Sequence, residues 1–212
     1  MITVYGEGRG LRVIWLLEEL GLAHRLRQVD LLAGVENDPE FLAINPTGFI
    51  PAMTDGDVTM VESIAIMEYL MARYGPTPLA PDPRDPTFPA YQQFLHLGEA
   101  GLAASVYFVV GARLFAPESE RSNWSANQAL GVFESRLSLV TRQLARTPYL
   151  AGETFTAADI SVTYALELAQ RGAGITLGET ERSYVARTTA RDGYKRAKET
   201  CQSAWAGKTP VS

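Results

Sequence analysis

The spacing of apolar and polar positions changes character near residue 75. Before it, short β-prone runs alternate with helical ones. Ile2-Thr3-Val4-Tyr5 predicts a strand. Leu11, Ile14, Leu17 and Leu20 recur at helical spacing and predict a helix over 10–20, closed by Gly21. Residues 26–31 predict a second strand, and 39–44 a short helix ended by Asn45-Pro46. Ala52-Met53-Thr54 and Val58-Thr59-Met60-Val61 flank Asp55-Gly56, a pair suited to a tight hairpin. Ile64, Met67, Leu70, Met71 and Tyr74 form one stripe, predicting a helix over 63–74 with Ser63 as its N-cap. The order is β-α-β-α-β-β-α. Its first two strands, joined by a helix, pair in parallel, and its last two form an antiparallel hairpin.

Beyond Gly75 comes a proline cluster from Pro76 to Pro89, through which no helix or central strand can run. It reads as a stiff linker. After it the period is helical throughout: 90–115, 124–146, 156–170 and 179–203. Thr156 with Asp159 predicts a capping box, stapled by Phe155 on Ile160. The division is therefore 1–75, a linker over 76–89, and an all-helical part over 90–212.

Composition narrows the function. Apolar residues make up 46% and charged ones 20%, as in ordinary globular chains. The net charge is -5, with no dense Lys/Arg cluster, which argues against nucleic acid as a partner. Cys201 is the only cysteine, so no internal disulfide or Cys-x-x-Cys motif exists. His24 and His96 are the only histidines, which excludes a His-rich metal site; His24 is expected at the surface and His96 in the core. The longest uncharged apolar run, 100–112, is short for a membrane span, and the opening residues lack the basic-then-apolar order of a signal peptide. These features predict a soluble, cytoplasmic protein.

Three short segments carry candidate chemistry. Gly6, Gly8 and Gly10 follow a strand and open a helix, but Leu11 stands where a dinucleotide fingerprint needs its third glycine. Gly207-Lys208-Thr209 resembles the end of a P-loop, but Gln202 replaces its first glycine. What remains at 6–10 is either a plain turn or a set of N–H groups at a helix start, suited to an anion such as a thiolate. Pro51, directly before a strand, is suited to a cis bond, which would turn the Ile50 backbone toward an extended peptide. Glu62 and Ser63 place a negative charge beside a hydroxyl and helix N–H groups, the two receivers that an α-amino-acid head group needs.

Together these motifs resemble the glutathione S-transferase family, of the bacterial cytosolic type. The resemblance rests on Asn45-Pro46-x-Gly48, Ile50-Pro51 and, ten residues on, Glu62-Ser63-x-Ala65-Ile66-x-x-Tyr69-Leu70. It extends through Arg12-Val13-x-Trp15-Leu16-Leu17-Glu18-Glu19-Leu20-Gly21, Thr156-x-x-Asp159 and Arg191-x-x-Tyr194-x-Arg196-Ala197, and so covers the chain from Ile2 to about Cys201. It implies an α/β thioredoxin-like N-terminal domain, an all-α helical C-terminal domain and a cytosolic homodimer. It implies glutathione as co-substrate and no metal. Ile50 and Pro51 would receive its cysteinyl backbone, and Glu62 and Ser63 its γ-glutamyl end.

The implied activity is conjugation of the glutathione thiolate to hydrophobic electrophiles, a detoxification reaction. The electrophile pocket would lie between the two halves, with Tyr107, Gly111 and Phe115 on one helical face. The alternatives are a glutathione-binding protein without transferase activity and a glutathione-dependent reductase or isomerase. This chain departs from the family at two places. Family members carry a Ser, Cys or Tyr that stabilises the thiolate, yet 6–12 contains none of these. Arg9 with the helix start at 8–11 is the expected replacement, and Tyr5 is secondary. Phe49 stands where many members have a basic residue, which removes an expected contact to the glycine carboxylate.

Overall fold

A computed structural model of the chain describes residues 1–31 and 33–203. Its contacts group Met1–Gly75 with the segment from Ala190, and Pro76–Thr189 separately. The motif-like Gly207-Lys208-Thr209 lies outside the described residues.

The first unit runs β1 (Ile2–Tyr5), α1 (Leu11–Leu20), β2 (His24–Arg27), α2 (Pro39–Ile44), β3 (Ala52–Asp55), β4 (Val58–Val61) and α3 (Ser63–Tyr74). The sheet order is β2-β1-β3-β4. β1 pairs parallel with β2 and antiparallel with β3, which pairs antiparallel with β4. All four residues of β1 are buried, as a central strand covered on both faces requires. α1 ends at Gly21 in the left-handed region (φ 66), where the Gly21 and Leu22 N–H groups return to Glu18 and Leu17. The hairpin turns at Asp55-Gly56, and Asp55 Oδ2 accepts from the hydroxyls of Tyr69 (3.1 Å) and Tyr74 (2.7 Å).

β2 spans 24–27, not 26–31 as the apolar pattern predicts. It pairs with β1 from Ile2 opposite His24 to Tyr5 opposite Arg27, so the short central strand sets the length of its partner. The histidine expectations are reversed. His96 is exposed, whereas the His24 side chain is 8% exposed, with Nδ1 2.8 Å from Leu22 O and Nε2 3.5 Å from Glu18.

The predicted helix over 179–203 is two helices, α8 (Glu179–Thr189) and α9 (Asp192–Ser203), and α9 belongs with the first unit. Tyr194 meets Trp15 edge-on with ring centroids 4.9 Å apart. Arg191 grips Glu19 through two bonds of 2.8 and 2.7 Å, and Arg196 donates to Glu18 at 2.5 Å.

The second unit contains α4 (Phe88–His96), α5 (Ala104–Phe115), α6 (Trp124–Leu144), α7 (Ala157–Glu167) and α8. α4 and α5 are joined by a wide π turn at Leu97–Ala103. At that turn Gly98 lies so close to the Ser161 backbone that a Cβ would collide with it, and Ser161 Oγ donates to Leu95 O at 2.8 Å. Phe88–Phe115 is long and apolar enough to cross a membrane by length and composition, but half of its most apolar stretch is buried in the protein. Every residue of α7 is buried. Its capping box forms as predicted, with Asp159 Oδ2 accepting from the Thr156 N–H at 2.8 Å.

Candidate functional site

Three strand ends and one strand start meet at one end of the sheet. β4 ends at Val61 and leads into Glu62 and Ser63. β3 begins after Pro51, β1 ends at Tyr5 before Gly6, and β2 ends at Arg27. The sequence-predicted binding residues Ile50, Pro51, Glu62 and Ser63 are all gathered here.

Glu62 has φ 68, the only non-glycine among the described residues in the left-handed region. Such a conformation persists where the surroundings over-determine it, often at a ligand site. Ser63 is the first residue of α3, not its N-cap; the cap is Glu62, whose carbonyl accepts from Ile66 N–H at 2.9 Å. The Ser63 hydroxyl is therefore available for another role. It accepts from Arg12 Nη1 at 2.7 Å. Arg12 is 0% exposed, an uncommon place for a guanidinium. With one lone pair held by Arg12, Ser63 can direct its own O–H outward. Arg12 stands in the first-helix motif, but nothing local in the sequence marks it as buried or joins it to Ser63, 51 positions away.

The Ile50–Pro51 peptide is cis. The preceding turn is pinned by buried Asn45, whose Nδ2 donates to Phe49 O at 2.7 Å. The β1–β3 ladder stops at Tyr5–Ala52 and the β3–β4 ladder at Ala52–Val61, so Ile50 lies beyond both. Its side chain packs on the glycine loop. Gly6 has φ 84, and a Cβ there would overlap Ile50; a Cβ on Gly10 would strike Gly6 O. These contacts explain why the loop lacks larger side chains at those two positions.

Leu11 N–H donates to Glu7 O at 2.8 Å and to Gly8 O at 3.3 Å, so it is already engaged within the loop. The expected donor group at 8–11 thereby loses Leu11. Arg9 lies half-buried in the same turn. The Tyr5 ring is built into an apolar cluster with Phe41, Val29 and Ala52, stacked on Phe41 with centroids 6.2 Å apart. Cys201 is buried; burial first, and the Glu7 charge second, push its thiol up to about 12, which disfavours the thiolate form. Among the described residues no group of His, Cys, Asp and Glu could hold a metal.

At the β2 end stands a charged cluster that reading for motifs did not find. Arg27 donates to Asp38 through both Nη atoms at 2.7 Å, and Nη2 also reaches Glu40 at 3.2 Å. Arg27 holds the Asp38 carboxyl below its usual range. Asp38 also caps α2 by accepting from Phe41 N–H at 3.0 Å.

The predicted electrophile residues are in the second unit. Tyr107 and Gly111 line a recess of about 330 Å³ with Phe108, Ala112 and Asn123. The Tyr107 hydroxyl lies 2.5 Å from that of Tyr164. Phe115 does not line this recess and is 74% exposed.

Residues 10–73 match the family model of the glutathione S-transferase N-terminal domain. Glutathione S-transferase 3 of Zea mays is 33% identical over 155 residues, covering 70% of this chain and 68% of its own. This chain belongs to the glutathione S-transferase family. Its first unit is the family's thioredoxin-like domain, with a mostly helical remainder. The theta class glutathione S-transferase of Xanthomonas axonopodis pv. citri, solved with glutathione bound, is 27% identical. That match covers 92% of this chain and 96% of the other, with a TM-score of 0.78. The glutathione transferase URE2P8 of Phanerochaete chrysosporium, solved with oxidized glutathione, shares the fold at 21% identity. Its TM-score is 0.85, over 98% of this chain and 97% of the other.

Proposed function

We propose that this chain is a cytoplasmic, homodimeric glutathione transferase that joins the glutathione thiolate to hydrophobic electrophiles. The observation that carries this reading is the Arg12–Ser63 pair beside Glu62, at the same sheet end as Ile50-Pro51. In the proposed complex Ser63 donates to the γ-glutamyl carboxylate, Glu62 receives the ammonium, and the cysteinyl backbone pairs with Ile50 as an added strand. The thiol gives its proton to solvent. The thiolate then attacks the electrophilic carbon, and the C–S bond forms as a leaving group such as halide departs.

Thiolate stabilisation is assigned mainly to Arg9 and the turn amides at the start of α1, with Tyr5 secondary. The packing of Tyr5 on Phe41 favours that order. A helix N-terminus contributes up to ~2 kcal/mol, which lowers a thiol pKa by about 1.5. A thiol near ~9 then reaches the mid-sevens, which supports modest rates that rise with pH. Tyr107 and Gly111, which line the recess, are assigned to the electrophile, and Phe115, outside it, is not.

The absence of Ser, Thr, Cys and Tyr from 6–12 favours a second reading, a glutathione-binding protein without transferase activity. Calorimetric titration tests the shared part: heat of binding is expected, and none at millimolar glutathione refutes both readings. The rate with a general aryl halide, together with the ultraviolet absorbance of bound thiolate, separates them.

A further inference from the structure

The order of strands arranges the site along a line. β1 is parallel to β2 and antiparallel to β3, which is antiparallel to β4. The ends of β4, β1 and β2 and the start of β3 therefore share one edge, in the order Ser63, Pro51, Gly6, Arg27. Adjacent strands lie about 4.8 Å apart, so this edge spans about 14 Å. An extended tripeptide reaches about 10 Å. With its γ-glutamyl end on Ser63 and its cysteinyl backbone on Ile50, the third residue is carried toward the end of β2.

That end is negatively charged. Arg27 is its cation, and both Nη atoms are already engaged by Asp38 and Glu40. The three side chains sum to one negative charge. From Gln28 to Pro51 the chain carries Asp30, Glu36, Asp38 and Glu40, and no Lys, Arg or His. Phe49, beside Ile50, is exposed and uncharged. A carboxylate brought here meets two carboxylates and a guanidinium that they have already claimed. An amide instead offers N–H donors to those carboxylates, and an ammonium gains a charge pair.

Resting on the glutathione-type site proposed above, we propose that this protein prefers a γ-glutamylcysteinyl thiol with an uncharged or cationic carboxyl end. Amides and amine-capped peptides are the class, and the free carboxylate of glutathione is the disfavoured form. Glu40 and Asp38 are the specificity residues. The Glu40 side chain is 81% exposed, so its share of the preference is screened by salt.

The test is calorimetric titration of the full-length protein with glutathione and with its C-terminal amide, γ-glutamylcysteinylglycinamide. The amide is expected to bind at least as tightly, about threefold tighter at low salt, with the gap closing as salt is added. Glu40→Lys is expected to reverse the order by strengthening glutathione and weakening the amide. If glutathione binds the native protein more tightly than the amide does, the preference is refuted while the glutathione site stands. Such a result would point to a cation, Arg9 first, reaching the carboxylate. If neither ligand binds, the site and the preference fall together.

Discussion

A hydroxyl that accepts from a buried guanidinium is a different donor from one that caps a helix. Ser63 is 4% exposed and held by Arg12, so its O–H has few directions left, and in the proposed complex it is donated to the γ-glutamyl carboxylate. Losing a hydrogen bond to a charged group costs about 1.5–3 kcal/mol, so Ser63→Ala should weaken glutathione binding roughly ten- to a hundredfold by calorimetry. Wild-type affinity in that variant would remove Ser63 from the site. The thiolate assignment makes a second prediction at this scale. Arg9→Ala should slow conjugation and diminish the absorbance of bound thiolate, whereas Tyr5→Phe, altering a ring packed on Phe41, should change both less. If Tyr5→Phe abolishes both and Arg9→Ala leaves them intact, the tyrosine is the thiolate's partner. The sequence pointed to Ser63, Glu62 and Ile50-Pro51 because their types and spacing are distinctive. Arg12 stood in a helix motif as one more charged residue, and its burial depends on α3, which no local pattern reports.

Among the elements, α7 shows how local capping and tertiary packing meet in one carboxyl. Asp159 closes the capping box at Thr156, and its Oδ1 also accepts from Leu150 N–H at 3.0 Å and from the Tyr184 hydroxyl at 2.9 Å. These donors favour the anion, yet burial outweighs them and pushes the carboxyl up to about 6. Its folded value lies above its unfolded one, so the contribution is complete below pH ~3.8 and is lost as pH rises through about 6. Asp38 has the opposite sign: its lowered value adds stability above pH ~3.8 that disappears in acid. Comparison with Asp159→Asn isolates the first effect. Denaturant titrations from pH 4 to 7 should show the wild-type advantage shrinking by up to about 3 kcal/mol. An advantage that grows with pH would show that the donors, not burial, govern Asp159. The box was legible because a cap needs only three residues' spacing. Its bonds to Leu150 and Tyr184 join separate segments and were not.

For the whole molecule, the long helix through 88–115 predicts self-association. Phe108, Leu114 and Phe115 are exposed on it, and Trp124 follows on α6. A homodimer would draw on this exposed apolar surface. Light scattering at micromolar concentration should give about twice the 23.2 kDa chain mass. A particle of 23.2 kDa would refute the dimer. The C-terminal segment teaches a related lesson. Its helical period was plain from 179 onward, but the break at 190–191 and the docking of α9 on α1 join residues more than 170 positions apart.

By itself the amino-acid sequence determined the order of elements from β1 to α3, the parallel first pair, the hairpin at Asp55-Gly56, the cap of α7 and the residues gathered at the sheet end. These features follow from forces acting over a few residues: side-chain period, glycine and proline geometry, and capping. Only the tertiary structure decided the extent of β2, the exposure of the two histidines, the burial of Arg12 against Ser63, the clamping of Arg27 by Asp38 and the place of α9. Each depends on what a distant segment covers, and burial sets both the reach of a charge and the cost of leaving it unpaired.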